Sequence, residues 1–201
     1  MQKLLQDHIT QFPKWMSLLH RGYTIMCHGL GSKKKVLDNF YKLLLEKDCD
    51  CVVVNGFFPS LTINQILLTI TEEIMEIEGK FSSVPEHLEE IFTCLTTDLF
   101  IIIHSLDGPR LQQNKVQATL SRLASHPLVH LVCSIDHINA PLLWDQQCKG
   151  EFNFIWFDCT TFQPYSYEAA GGDTRTGLSS LGSVRPSLTP NARKIYSIII
   201  K

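Results

Sequence analysis

The fold is decided by the stretch Tyr23-Thr-Ile-Met-Cys-His-Gly-Leu-Gly-Ser-Lys-Lys-Lys-Val36, which begins as an apolar strand, turns at glycine and enters a helix. A phosphate-binding loop of the form G-x-x-x-x-G-K-[ST] has this layout. Its backbone N–H groups wrap the phosphates, its lysine reaches the terminal phosphates and its hydroxyl binds Mg²⁺. When Gly29 is the first glycine, Lys34 occupies the second-glycine position, Lys35 the lysine position and Val36 the hydroxyl position. The stretch predicts the shape of a nucleotide site without the residues that such a site needs.

A shifted frame does not restore this loop. If Lys34 is the phosphate lysine, Lys33 replaces the second glycine and Lys35 replaces the hydroxyl. Only the turn itself, with Gly29 and Gly31, is then preserved. Glycine turns between a strand and a helix are common in α/β proteins, so the alternative is a chance match in an ordinary fold of that class.

A second catalytic position is also altered. Asp98-Leu-Phe-Ile-Ile-Ile-His104 is predicted to be a buried parallel strand, because it is short, apolar and rich in β-branched residues. In ATPases with such a loop, the end of this strand carries the acid that holds Mg²⁺, and in one branch a glutamate that polarises the attacking water. Here these positions hold His104 and Ser105, and the nearest carboxylate, Asp107, comes later. We therefore predict no catalytic residue and no bound cofactor at this site.

The composition is that of a soluble, near-neutral protein. The chain has 201 residues, with 18 Lys and Arg against 20 Asp and Glu, and a formal net charge of −2. No run reaches the roughly 18 apolar residues of a membrane span, and the N-terminus lacks the apolar core of a signal peptide, so we expect an intracellular location. A chain of this charge has no strong overall attraction for nucleic acid, and any contact with DNA must be local.

The cysteines do not predict a metal site. There are seven, and none forms a C-x-x-C pair, which favours reduced thiols. The pair in Cys49-Asp-Cys51 lacks the second pair of ligands that a structural zinc site requires. We predict no metal.

The order of elements predicts a mainly parallel sheet of five strands with helices on both faces. Strands are predicted at 23–27, 51–55, 98–103, 128–134 and 152–157. Helices are predicted at 4–19 with a break at Pro13, and at 33–47, 61–77, 85–95, 113–125 and 141–145.

The composition changes after Tyr167. Residues 169–188 are rich in glycine, serine and threonine, which predicts a flexible linker. Residues 189–201 begin a helix, with Thr189 as N-cap and Pro190 in the first turn. We expect this helix to open a second domain that the chain cuts short.

Five segments carry a resemblance to the subunits of the origin recognition complex, an assembly of AAA+ proteins, and the likeness extends from about residue 4 to residue 201. They are Ile25-Met-Cys-His-Gly-Leu-Gly-Ser-Lys-Lys34, Val54-Asn-Gly-Phe-Phe-Pro59, Phe100-Ile-Ile-Ile-His-Ser-Leu-Asp107, Leu131-Val-Cys-Ser-Ile-Asp-His-Ile-Asn-Ala-Pro141 and Thr161-Phe-Gln-Pro-Tyr-Ser-Tyr-Glu168.

The resemblance implies a degenerate AAA+/RecA-like domain over residues 1–168 and the first helix of a winged-helix domain at 189–201. AAA+ relatives place a polar sensor where this chain has Asp136. With no phosphate to sense, we expect Asp136 to cap the helix that begins near Asn139.

By the same resemblance, the chain is a structural, non-catalytic subunit of a nuclear ring that encircles origin DNA and loads the replicative helicase. The third subunit of that ring is its expected nearest partner.

Two alternatives stay open. One is a divergent P-loop ATPase or phosphotransferase that uses Lys34 or Lys35. The other is a protein-interaction module that makes no contact with DNA.

Two features are candidates for DNA contact. Phe57 and Phe58 are adjacent aromatic residues in a Gly-Pro turn, where exposure is costly unless the rings have a use. In initiator AAA+ proteins, an extra element at this place faces the DNA channel. The alternative is that both rings pack in the core. The run Lys33-Lys-Lys35 is either a solvated charge run at a helix start, which we favour, or a phosphate contact.

Overall fold

Parallel strands form the centre of the molecule. The structure is a computed structural model that describes residues 2–46, 49–77 and 81–171. The strands are β1 Thr24–His28, β2 Asp50–Asn55, β3 Leu99–His104, β4 Val129–Ser134 and β5 Phe154–Asp158. They form one five-stranded sheet in the order β2-β3-β4-β1-β5, and every neighbouring pair is parallel. The predicted sheet is confirmed.

Helices connect the strands. They are α1 Gln2–Ile9, α2 Phe12–Leu19, α3 Lys34–Phe40, α4 Ile63–Thr69, α5 Val84–Cys94, α6 Asn114–Ala124, α7 Gln146–Phe152 and α8 Ser166–Gly171. π-helical turns extend α3 over Tyr41–Leu45 and α4 over Ile70–Ile74, and a 3₁₀ turn covers Ala140–Leu143. A capping box between Thr62 and Gln65 begins α4.

The core lies on both faces of the sheet, as predicted. Strand β3 is buried along its whole length. Its residues alternate between two apolar clusters, because successive side chains of a strand point to opposite faces. Leu99, Ile101 and Ile103 join the cluster with α4 to α7, whereas Phe100 and Ile102 join the cluster with α2 and α3.

Two helices differ from the prediction. The predicted break in the first helix occurs between Ile9 and Phe12, a little before Pro13, which lies in the first turn of α2, where its missing N–H costs nothing. Helix α7 was not predicted, since its sequence Gln-Gln-Cys-Lys-Gly-Glu-Phe has little apolar periodicity. It begins because the Asp145 side chain accepts a hydrogen bond from Cys148 N at 2.8 Å.

The chain divides into a compact unit over residues 1–165 and a second unit over residues 166–201. Within the second unit, α8 runs across the predicted boundary at residue 168, so the first residues of the predicted linker are helical. The rest of that linker and the predicted winged-helix start at 189–201 lie outside the described residues, and the domain division stays a prediction. In the described part of the chain, no helix combines the length and the apolarity that spanning a bilayer requires.

The parallel arrangement brings the sequence-predicted site together. The carboxyl ends of all the strands lie at one edge of the sheet, and His28 at the end of β1 pairs with Asp158 at the end of β5. The loops that follow β1, β3, β4 and β5 therefore meet at this edge, which is where α/β proteins usually bind ligands.

Candidate functional site: a loop filled by its own lysine

The loop after β1 depends on its two glycines. Gly29 and Gly31 have φ angles of +122° and +93°, in the region that favours glycine. A Cβ on Gly29 would lie 2.5 Å from Thr160 Oγ1, and one on Gly31 would lie 2.6 Å from Phe162 N. Glycine is thus required both for the turn and for the close approach of the segment after β5.

That segment occupies the backbone groups of the loop. Gly31 N donates a hydrogen bond to Tyr165 Oη at 3.1 Å, and Ser32 N donates to Gln163 O at 2.9 Å. The carbonyl of Leu30 accepts from the backbone N–H of Thr161 at 2.9 Å. In a working loop, N–H groups of this kind hold phosphates. Here protein oxygens accept two of them.

Lys33 fills the interior of the loop. Its side chain is 1% exposed, and Nζ donates hydrogen bonds to Gly29 O at 3.0 Å and Gly31 O at 2.9 Å. Nζ also lies 2.6 Å from Asp136 Oδ1. A lysine ammonium has three donors, and each has an acceptor here. The prediction of a solvated charge run is wrong for Lys33, because these acceptors offset the loss of water around its charge.

Asp136 joins the loops after β1, β3 and β4. Its Oδ1 pairs with Lys33, and its Oδ2 accepts a hydrogen bond from Ser105 Oγ at 2.8 Å. The prediction that Asp136 caps a helix is wrong. Asn139 is at the N-cap of the following 3₁₀ turn and makes no side-chain capping bond, while both Asp136 oxygens are used by the network.

Asp107 uses one of its carboxylate oxygens to hold the loop after β4. Its Oδ2 accepts hydrogen bonds from the backbone N of Asp136 at 3.1 Å and of His137 at 2.6 Å. Burial raises the pKa of the Asp107 carboxyl, and these hydrogen bonds oppose that rise in part. The side chain therefore holds the loop after β4 against the loop after β3.

A second ion pair lies beside the first. Lys34 Nζ lies 2.9 Å from Asp38 Oδ2 one turn along α3, and His104 Nε2 lies 3.6 Å from Asp38 Oδ1. Burial opposes ionisation of Asp38, but His104 and Lys34 outweigh it and lower the pKa of the carboxyl. His104, at the first acid position, thus lies beside an acid of α3.

The last two positions of the loop motif, Lys35 and Val36, lie on the surface and in the core, respectively. Lys35, at the phosphate-lysine position of the first frame, is exposed to solvent. Val36, at the hydroxyl position, is fully buried in the cluster that includes Phe40 and Trp15. The position that would bind Mg²⁺ now contributes to packing.

Phe57 and Phe58 lie in the turn after β2. Their ring centroids are 4.8 Å apart, Phe58 is 41% exposed and Phe57 is half-buried. Neither ring belongs to the two core clusters. The alternative in which both rings pack in the core is therefore wrong. The turn instead packs against the end of β3, where Gly56 N donates a hydrogen bond to His104 O at 2.8 Å.

Arg110 was not among the residues predicted from sequence. Its Nε donates a hydrogen bond to Pro59 O at 2.7 Å, so this exposed guanidinium is fixed beside the Phe57–Phe58 turn. The signal that could have found it is the turn Asp107-Gly108-Pro109 directly after β3, which returns the chain to the same edge of the sheet.

Comparison with known proteins gives one family. The family profile described as "Origin recognition complex subunit 2 RecA-like domain" matches residues 1–159. Origin recognition complex subunit 2 of Drosophila melanogaster is 43% identical, with 98% of this chain and 34% of that protein aligned. The human protein of the same name is 40% identical, with 100% of this chain and 37% of the human protein aligned. The chain spans little more than a third of these relatives.

Solved structures give the same family. A chain in the structure of Drosophila ORC bound to AT-rich DNA and Cdc6 matches with a TM-score of 0.82 and 45% identity, covering 99% of this chain and 69% of that one. A chain in the structure of Drosophila ORC bound to DNA matches with a TM-score of 0.81 and 45% identity. This match covers 85% of the present chain and 99% of the Drosophila chain. The Aeropyrum pernix ORC1 protein in complex with DNA, at 16% identity and a TM-score of 0.59, shows likeness of fold alone.

The buried ion pair makes a testable contribution to stability. Lys33→Met should lower the free energy of unfolding by about 2 to 3 kcal/mol, somewhat less than for a fully buried pair, because Asp136 remains 27% exposed. The matched control is the exposed Lys35→Met, which should change it by no more than about 0.5 kcal/mol. Urea unfolding measures both.

A double-mutant cycle separates the pair from general effects of substitution. Lys33→Met and Asp136→Asn should together cost clearly less than the sum of the single changes, since each single change leaves an unpaired charge. Equal costs for Lys33→Met and Lys35→Met would show that the ion pair does not stabilise the loop.

Proposed function

We propose a function on the premise that the chain belongs to the origin recognition complex subunit 2 family, whose RecA-like domain profile matches residues 1–159. The chain acts as a non-catalytic, ATPase-like structural subunit of that complex in the nucleus. It supports assembly of the ring on origin DNA and loading of the replicative helicase, with the third subunit as nearest partner. One observation carries the non-catalytic part: the Lys33 ammonium between Gly29 O and Gly31 O.

This ammonium favours a function without nucleotide. A triphosphate entering the loop would have to displace the ammonium and would then face two carbonyl oxygens and the Asp136 carboxylate. All three are acceptors that repel an anion. The positions of the Mg²⁺ hydroxyl and of the strand-end acid hold Val36, His104 and Ser105. The internal ion pair thus links the loops that a nucleotide links in active relatives.

The alternative of a divergent ATPase or phosphotransferase has no support in this geometry. Lys34 is paired with Asp38, and Asp107 is held by backbone N–H groups of the loop after β4. Such an enzyme would need both the phosphate lysine and a ligand for Mg²⁺.

A partner surface lies at the same edge of the sheet. Ile138 is 89% exposed and Leu142 is 82% exposed, and Leu30 and Trp156 are also exposed nearby. Leu30, Ile138 and Trp156 line a cleft of about 420 Å³. Exposed apolar side chains concentrated in this way typify protein interaction sites. We assign this surface to contact with a neighbouring subunit.

The turn after β2 is the best candidate for DNA contact. Phe58 presents a ring to solvent, and Arg110 is fixed beside it by Pro59 O. Aromatic rings contact sugars and base edges, whereas guanidinium and ammonium groups contact phosphates. Lys35 is the exposed member of the lysine run, and Lys33 is excluded from phosphate contact because its ammonium is buried.

The first functional prediction concerns nucleotide. Titration calorimetry of the chain with Mg²⁺ and ATP should give no saturable heat, and ATP should not shift the melting temperature. Lys34→Gly with Val36→Thr should also remain inactive in ATP hydrolysis, because no acid stands at the end of β3. Micromolar, Mg²⁺-dependent binding that is lost in Lys35→Ala would refute the non-catalytic assignment.

The second concerns DNA. In the assembled complex, Phe57→Ala with Phe58→Ala should weaken DNA retention without changing its salt dependence. Arg110→Gln should reduce the slope of log K against log salt by about 1 if it neutralises one phosphate. The control is Arg21→Gln, an exposed arginine at the opposite edge of the sheet, which should change neither. Loss of assembly with normal DNA retention in the complex that does form would make the rings interface residues.

The third concerns the partner surface. Ile138→Asp with Leu142→Asp should weaken co-assembly with the other subunits by at least about 10-fold, since two apolar anchors become charged. The melting temperature of the isolated chain should not change, because both side chains are exposed. Leu43→Asp, at an exposed leucine of the α3 extension, is the control. If the Ile138→Asp/Leu142→Asp variant and the Leu43→Asp variant weaken co-assembly equally, this surface is not part of the interface.

A further inference from the structure

Three side chains with metal-binding atoms meet at the amino edge of the sheet, opposite the loop described above. His20 follows α2, Asp98 precedes β3 and His130 is the second residue of β4. One ligand atom from each lies within 4.8 Å of the others. Because the three come from separate elements, a shared ion would tie α2 to two central strands.

Both ring nitrogens of His130 face oxygen atoms that accept hydrogen bonds. Its ring is buried, with Nδ1 3.0 Å from Leu19 O and Nε2 3.1 Å from Asp98 Oδ1. Both contacts are to acceptors, whereas a neutral imidazole has a single N–H. If Nδ1–H donates to Leu19 O, the Nε2 lone pair faces a carboxylate oxygen. In that tautomer the Nε2 lone pair and the Asp98 oxygen are positioned to bind one metal ion together.

His20 is prepared in the same way. Its Nδ1 lies 2.8 Å from Met16 O, so the neutral ring donates Nδ1–H and leaves the Nε2 lone pair free for coordination. Metal-binding histidines usually donate their second ring N–H to a carbonyl or carboxylate, which fixes the tautomer. Both rings have such a carbonyl, and their centroids are 5.0 Å apart.

The spacing suits a tetrahedral ion. Two nitrogen or oxygen ligands of one zinc ion lie about 3.3 Å apart, given bonds of about 2.0 to 2.1 Å. The distance from His130 Nε2 to Asp98 Oδ1 is 3.1 Å. His20 is exposed and its ligand atom lies within 4.8 Å of the other two, so coordination requires only a small shift of this side chain.

The surroundings leave room for a fourth ligand. His20 and Asp98 line a cleft of about 660 Å³ that also includes Cys49 and Asp50. We propose that His20, Asp98 and His130 bind a divalent transition-metal ion, with zinc as the preferred ion and water in the fourth position. Two imidazoles and one carboxylate favour zinc over Mg²⁺ or Ca²⁺, which prefer oxygen ligands. The site does not depend on the proposed role in the origin recognition complex.

The main test is zinc affinity measured by competition with a chromogenic chelator on the purified chain. Wild type should bind one zinc ion per chain, and Asp98→Asn and His20→Gln should each weaken binding by at least about 100-fold. Asp50→Asn is the matched control, because it removes an acid from the same cleft without removing a ligand. Wild-type affinity in Asp98→Asn would overturn the proposal.

Two further measurements identify the ligands. Zinc at about 100 times its dissociation constant should raise the melting temperature of wild type by about 5 to 10 °C, and that of Asp98→Asn hardly at all. Co²⁺ should give the visible absorption of a tetrahedral ion without a thiolate charge-transfer band. A thiolate band would place the metal on cysteine and overturn the site. A melting temperature that does not respond to zinc but is lowered by Asp98→Asn would show that the His130–Asp98 contact stabilises the fold without a metal, and would also overturn the proposal.

Discussion

The ammonium of Lys33 meets three acceptors, the carbonyls of Gly29 and Gly31 and the carboxylate of Asp136. A buried charge is costly unless it is both paired and hydrogen-bonded, so this arrangement constrains everything around it. Gly29 and Gly31 must keep their positive φ angles, and Asp136 must stay within reach of the loop. Ser105 and Asp107 hold the segment that contains Asp136. Through these contacts, one side chain determines the relative positions of the loops after β1, β3 and β4.

Much of this could be predicted from sequence. Strands β1 to β5 are short apolar runs, and the order of strands and helices predicts a parallel sheet. Because parallel strands end at the same edge, the altered motifs after β1 and β3 are enough to predict which edge carries the site. The choice of lysine could not be predicted. Lys33, Lys34 and Lys35 are equivalent in a linear pattern, yet one is buried, one is paired along α3 and one is exposed. Their orientations depend on the turn at Gly31 and on Asp136, which lies about a hundred residues later in the chain.

The exposure of Phe57 and Phe58 also could not be predicted from sequence, since it depends on how the turns after β2 and β3 pack against each other. A Cβ on Gly108 would lie 2.0 Å from Gly56 O, so the turns after β2 and β3 touch through backbone atoms. This contact holds the turn on the loop after β3 and leaves the Phe58 ring largely outside the core. The cluster at the amino edge was not predicted, because the spacing of His20, Asp98 and His130 in the sequence matches no metal-binding motif. They meet only through the parallel register of β3 and β4 and the end of α2.

The residue that fills the loop is part of the chain, and this distinguishes it from any dissolved ligand. Its effective concentration is set by the length of the lysine stem and does not change with conditions in the cell. A bound nucleotide, in contrast, is gained, lost or hydrolysed, and a subunit that holds one can alternate between states. A loop closed by Lys33 has no occupancy that follows the ratio of ATP to ADP. This position would therefore be insensitive to the energy supply of the cell.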